Sequence, residues 1–227
     1  MNIAIIPARG GSKRIKNKNI KLFFSKPMIA WTIEILKKSK LFKNIYVTTD
    51  SLKIADIAKK YGATIPFIRE KDLADDFTPT LPVIKDALKK ISINKSIKNI
   101  CCVYPCTPFV TKNDLIKTYA LLKKNRKRFV FPVIKNSHPI ERSFKVKKNI
   151  IEFIFKSKEM SRTQDLVTSY HDAGQFYWGS IEAWTKNKKL HSGAIAYEVP
   201  DWRFVDIDNY SDWKRAEKYF KYKLNEI

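Results

Sequence analysis

Apolar positions along the chain alternate between a two-residue and a three-to-four-residue rhythm, the pattern of strands separated by helices. Asn2 to Ile6 is an almost continuous apolar run and predicts a buried strand. A basic, glycine-containing loop follows, and behind Pro27 the residues Ile29, Ile33 and Leu36 recur at helical spacing. Asn44 to Thr49 predicts the next strand, with Ser51 capping a helix that runs through Tyr61 and stops at Gly62. Thr64 to Ile68 predicts a short strand, a polar loop reaches Pro79, and Pro82 to Ile91 predicts a helix. Asn99 to Tyr104 is nearly all apolar, which suits a central strand covered on both faces. Thr111 predicts the cap of a helix ending at Lys124.

This order predicts an α/β fold: three layers around a mixed, mostly parallel sheet with right-handed crossovers. Ligands in such sheets sit beyond the carboxyl ends of the strands. After Phe129 the rhythm changes, with short strand signals at Phe129 to Ile134, Ser143 to Val146 and Ile150 to Phe155. A small β-rich excursion over about 135–170 is therefore expected within a single domain spanning 1–227. Strand character returns at Gly174 to Trp178, Ala194 to Val199 and Phe204 to Ile207, and Ser211 to Leu224 predicts a closing amphipathic helix.

Composition narrows the class. Hydrophobic residues make up 44% of the 227 residues and aromatics 13%, too much for a disordered chain. No apolar run approaches the roughly 18 residues of a membrane span, and the opening Met1 to Pro7 has no basic leader, so a soluble, cytoplasmic protein without a membrane partner is expected. Cys101, Cys102 and Cys106 lack metal-site spacing and read as reduced core thiols. The net charge of +23 invites a nucleic-acid partner. The cations are mostly lysines spread over every helix, so a solvated surface is the preferred reading and no nucleic acid is expected. Lys112 to Met160, with 14 basic residues against four acidic ones, is the exception that would favour an anionic ligand.

Four loops carry candidate chemistry. Pro7 to Asn19, directly after the first strand, combines Gly10 and Gly11 with Arg9, Lys13, Arg14, Lys16 and Lys18. Close backbone approach and five cations favour a polyphosphate, a triphosphate above all, over a solvated turn. The loop is neither a Walker loop nor a dinucleotide fingerprint. Asp206 and Asp208 alternate in an extended stretch and so share one side. They could hold Mg²⁺ together with substrate phosphates, or Asp208 could cap the last helix; both readings stay open on spacing alone. Arg69 to Thr80 lies on the same rim, where Arg69 and the hydroxyls could read a base edge, although a capping turn explains it as well. Ser161 to Asp165 and Tyr170 to Trp178 join polar groups to an aromatic strand, which suits a sugar or a packed core. No nucleophile elbow or Cys/His dyad occurs.

Taken together, Ile5-Ile6-Pro7-Ala8-Arg9-Gly10-Gly11-Ser12-Lys13, Lys18-Asn19, Thr49-Asp50, Leu73-Ala74-Asp75-Asp76 and Asp206-Ile207-Asp208 resemble the sialic acid cytidylyltransferase family over nearly the whole chain. Arg14, the tract Arg162 to Leu166 and the tract His171 to Gly179 resemble its pseudaminic acid branch. The resemblance implies a nucleotide-diphosphosugar-transferase-like, Rossmann-type fold, a homodimer built partly by the excursion, and transfer of CMP from CTP to a nonulosonic acid for flagellin or surface-glycan decoration. It places Ala8, Arg9, Gly10, Ser12, Lys13, Lys18 and Asn19 on the phosphates and nucleotide, and Arg69, Thr78 and Thr80 on cytidine. It places Tyr104, Arg162, Gln164, Gln175 and Tyr177 on the sugar, Mg²⁺ on Asp206 and Asp208, and catalysis on Arg9, Lys13, Asp206 and Asp208. Two departures stand out. Tyr104-Pro105-Cys106-Thr107-Pro108-Phe109-Val110 replaces the Gln-Pro-Thr-Ser-Pro-Leu-Arg of N-acetylneuraminate enzymes, and Lys16-Asn17 replaces the Pro-Arg of the opening loop.

Overall fold

A computed structural model describes residues 1–91 and 96–225, the last three of these by backbone alone. The first strand, β1 (Asn2–Pro7), shows how the layers form. Its alternate residues enter opposite cores: Ala4 and Ile6 pack with Ile29, Ile33 and Leu36, while Ile3 and Ile5 pack with Ile84, Ala87 and Leu88. A strand covered on both faces needs apolar residues at every position, which is why the run is unbroken.

A short hairpin, β2 (Leu22–Phe23) and β3 (Lys26–Pro27), leads into α1 (Met28–Ser39). Then come β4 (Asn44–Thr48), α2 (Leu52–Lys60), α3 (Thr80–Lys90), β5 (Asn99–Val103), α4 (Lys112–Lys124) and β6 (Val130–Lys135). The excursion carries the exposed hairpin β7 (Phe144–Lys147) and β8 (Ile150–Phe153). The chain returns through β9 (Tyr170–Asp172), β10 (Phe176–Ser180), α5 (Ile181–Lys186), β11 (Ile195–Glu198) and α6 (Tyr210–Asn225). The main sheet runs β11-β6-β10-β5-β1-β4, with β9 also on β6. β1 pairs in parallel with β4 and β5, and β11 with β6, whereas β10 is antiparallel to β5 and β6. The expected mixed, mostly parallel α/β sheet is therefore present.

Caps fall where the side chains dictate. Thr111 and Asp114 form a reciprocal capping box at α4, the Thr111 amide donating to Asp114 Oδ2 at 2.9 Å. Asp114 also accepts both ends of the Arg203 guanidinium, at 2.7 and 3.0 Å, and so ties α4 to the turn that delivers residues 204–208. Thr111→Ala is expected to lower unfolding stability by about 1 kcal/mol, readable as a shifted urea midpoint with an unchanged slope.

Some expected elements change. Thr64 to Ile68 makes only isolated bridges, Tyr46 to Thr64 and Thr49 to Ile68, because Pro66 interrupts the donors a ladder needs. Phe204 to Ile207 has no strand partner; Val205 and Ile207 instead pack into a third core with Phe23, Trp213 and Phe220. α3 starts at Thr80, ahead of Pro82, which fits within a first turn. The short β9 and the Ser180-capped α5 have no counterpart in the sequence reading.

Candidate active site

A cavity of about 340 Å³ opens beyond the carboxyl ends of β1 and β5, and all four candidate loops except the excursion tract reach it. The bend after β1 forms one wall. Ala8 itself is fully buried and its amide donates to Thr48 O at 2.9 Å, so it ends the sheet and does not line the cavity. Gly10 is also turned from the cavity: its amide donates to Asp50 Oδ1 at 2.8 Å. A Cβ there would stand 3.0 Å from Ser51 Cβ, which accounts for the glycine by close packing. Ser12 lines the cavity.

The cations reach across to the loop after Arg69. Arg9 ion-pairs with Asp76 and donates to Asp75 O at 2.7 Å, and Lys13 Nζ meets Asp76 at 2.7 Å. Hydrogen bonds from Lys13 and Arg9 hold the Asp76 carboxyl below the ordinary range. Asp75 is held low by the Thr78 side chain and by the Thr78 and Phe77 amides, which fixes the loop's shape. Asn19 is buried, its amide donating to Arg9 O at 2.9 Å while its oxygen accepts from Cys106 Sγ at 3.2 Å. Its role is to hold the bend. Burial pushes the Cys106 thiol up to about 12, so this cysteine is no nucleophile.

The acidic pair lines the same cavity, in contact with the bend. Val205 and Ile207 are buried, which turns Asp206 and Asp208 outward. Arg14 Nη1 lies 2.9 Å from Asp208 Oδ2, and Lys18 Nζ donates to Ile207 O at 2.5 Å with Asp208 at 3.5 Å. The glycine-bearing bend and the carboxylates thus share one cavity. Asp206 is raised above the ordinary carboxylate range by loss of water at the wall and then by Asp208. Two crowded carboxylates facing a cavity suit a hard divalent cation whose remaining ligands are phosphate oxygens and water.

Another part of the lining is built around Arg69. Arg69 is 5% exposed, and its Nε and Nη2 have no partner. Burial lowers its basicity, with Asp50 opposing. Thr78, Thr80, Tyr104 and Gln175 line the same cavity, and Gln175 Nε2 donates to Arg203 O at 2.9 Å. Tyr177 packs against Tyr104, with ring centroids 5.6 Å apart, and does not itself line the cavity. Arg162 and Gln164 lie apart from this chain's cavity: they sit in an exposed turn of the excursion, Arg162 paired with Asp165 at 2.8 Å. The sequence reading gave no role to Asp50 or Asp76 as partners of the bend, although both stand in its quoted motifs.

Residues 3–208 match the cytidylyltransferase family model. The chain belongs to the cytidylyltransferase family. A pseudaminic acid cytidylyltransferase of Campylobacter jejuni is 38% identical over 225 residues, covering 97% of this chain and 96% of that protein. An N-acylneuraminate cytidylyltransferase of Escherichia coli is 28% identical over 94% of the chain, which spans 51% of that longer protein. Among solved structures, CMP:2-keto-3-deoxy-manno-octonic acid synthetase complexed with CTP superimposes with a TM-score of 0.72 at 13% identity, covering 98% of this chain and 99% of that one. That likeness fixes the fold of this cytidylyltransferase. Among the described residues, no helix is long and apolar enough to cross a membrane.

Proposed function

We propose that this cytidylyltransferase joins pseudaminic acid to CMP: the sugar's anomeric hydroxyl attacks the α-phosphorus of CTP, and pyrophosphate leaves. The observation that carries the reading is the meeting of two elements nearly 200 positions apart in the chain, the cationic bend and the acidic pair, at the 2.9 Å contact between Arg14 and Asp208. A triphosphate entering the cavity would take over Arg9 and Lys13 from Asp76, leaving both cations to neutralise charge gathering on the leaving oxygens. Arg69 offers two unpartnered donors to the nucleotide's base or ribose. Asp206 and Asp208 would hold Mg²⁺, which when bound supplies charge neutralisation at phosphoryl oxygens. Positioning and electrostatics suffice for such a displacement.

Pseudaminate is favoured over N-acetylneuraminate because the relative acting on the former is closer over a fuller length, and because Tyr104 and Val110 stand where N-acetylneuraminate enzymes show Gln and Arg. The exposed apolar face of β7 and β8, where Val146 at 69% and Ile151 at 61% exposed stand opposite one another, supports a homodimer through the excursion, which would bring Arg162 and Gln164 toward a partner's cavity. Three unpaired cysteines fit a cytoplasmic enzyme, and flagellin or surface-glycan decoration is the fate that goes with such a product. The test is pyrophosphate release with CTP, Mg²⁺ and a panel of nonulosonic acids. Release only with a sugar present, and fastest with pseudaminate, is the expected result. Faster release with N-acetylneuraminate would overturn the sugar assignment, and steeply salt-dependent nucleic-acid binding without turnover would overturn the reaction.

A further inference from the structure

The acidic pair stands on a segment that no sheet supports, so its position depends on how the ends of that segment are fixed. Residues 204–208 belong to no strand, and Val205 and Ile207 are held by packing in the third core. Beyond the pair the grip comes from α6, where Asp212 Oδ2 accepts from the Asp208 and Asn209 amides at 3.1 Å each. Ahead of the pair stands Arg203, the last residue of a single helical turn, Asp201–Arg203. Its side chain is 13% exposed and forks onto the Asp114 carboxylate, itself 4% exposed, at 2.7 and 3.0 Å. Its carbonyl accepts from Gln175 Nε2 at 2.9 Å, and Gln175 lines the cavity. One residue is thus tied down by side chain and by backbone, a single turn of chain ahead of Asp206.

The sheet explains why these groups meet. β10 is antiparallel to β5 and to β6, and β11 is parallel to β6, so β5 and β11 end on the same side. α4 begins there after β5, and the turn after β11 carries Arg203 to the first turn of α4, where Asp114 sits. Stability alone does not call for the pair. Asp114 already accepts from the Thr111 amide at 2.9 Å, the Thr111 hydroxyl at 2.6 Å and the Tyr197 hydroxyl at 3.2 Å. A buried fork also carries a desolvation cost that an apolar contact of similar volume avoids. What the fork adds is direction, since two parallel hydrogen bonds fix both the distance and the plane of the guanidinium. Direction matters most for Asp206. Arg14 and Lys18 grip Asp208, whereas among the described residues none donates a hydrogen bond to the Asp206 carboxylate, which therefore stands where its backbone puts it.

We propose that Arg203 is a positioning residue for the divalent-cation site: its fork on Asp114 sets the backbone that presents Asp206 beside Asp208. This deepens the function proposed above and rests on its assignment of Mg²⁺ to the acidic pair. Arg203 does not line the cavity and acts only through the segment it anchors. The cations of the bend reach a triphosphate independently of that segment, so the effect of Arg203 is confined to what the divalent ion adds. Replacing Arg203 by methionine removes one anchor and leaves the fold intact, because Gln175 keeps the carbonyl while Thr111 and Tyr197 keep Asp114.

The test is calorimetric titration of the full chain with CTP, without sugar and so without turnover, once in EDTA and once in Mg²⁺. The ratio of the two affinities is the gain due to the cation. Arg203→Met is expected to keep the metal-free affinity and to lose about tenfold of the Mg²⁺ gain. Arg203→Lys, which keeps the charge but not the fork, is expected to lose part of it and decides the question if the methionine variant does not fold. Ser180→Ala uncaps α5 away from the cavity, and is expected to lower the melting temperature while keeping the whole gain. A full Mg²⁺ gain in the Arg203 variants overturns the positioning role. An equal fall with and without Mg²⁺, or a lost gain in Ser180→Ala as well, shows general loosening and overturns it too. If the unmodified chain binds CTP with no Mg²⁺ gain, the metal assignment itself falls and this role falls with it.

Discussion

Asp206→Asn is expected to lower pyrophosphate release by about 10²-fold or more at fixed Mg²⁺, with little change in folding stability. The carboxylate faces the cavity, is flanked by buried Val205 and Ile207, and sits beside the like charge of Asp208. Removing its charge relieves repulsion in the folded protein and leaves no cation stranded, since Arg14 and Lys18 keep Asp208. Stability should therefore hold while the pair loses half of its charge for a divalent ion. Rates measured over a Mg²⁺ titration check this, and the variant should need far more metal and reach a lower plateau. Full turnover at the ordinary Mg²⁺ requirement would remove Asp206 from the metal site. Asp208→Asn is a less direct probe, because it also frees Arg14 and Lys18 and mixes two effects.

The acidic pair also shows what can be read from one sequence. Residues 204–207 were expected on a strand, and they lie on none. The sidedness was nonetheless correct, because alternation belongs to any extended segment with one face buried and needs no ladder. The contents of the cationic bend were legible for a similar reason: its glycines and cations are neighbours in sequence. Partners were not. Asp76 meets Arg9 and Lys13 from 67 and 63 positions away, and no periodicity encodes that distance. The antiparallel direction of β10 was equally silent, since an apolar strand reads the same in either direction. Arg162 and Gln164 mark the opposite limit. Their motif pointed to the sugar, but the excursion carries them away from their own chain's cavity, a placement set by β6 pairing with β9 and by the hairpin between them.

Arg69→Met is expected to weaken CTP binding by about 10- to 10²-fold while leaving the melting temperature unchanged or higher. Arg69 is buried, its amide is fixed to Thr49 O at 2.8 Å, and its Nε and Nη2 find no acceptor in the protein. An enclosed guanidinium with idle donors costs folding free energy, and burial accordingly lowers its basicity. Methionine has a similar reach, fills the space with apolar atoms and removes that cost. A residue kept at the expense of stability needs a gain elsewhere, and the cavity wall shared with Thr78 and Thr80 is where a nucleotide would supply acceptors. Hydrogen bonds from a charged donor contribute about 1.5–3 kcal/mol, which converts to the stated loss of affinity. Calorimetric titration with CTP, paired with thermal unfolding, separates the two effects. Undiminished CTP affinity would show that Arg69 does not contact the nucleotide. A large fall in melting temperature would show instead that its role is structural, through attraction to Asp50.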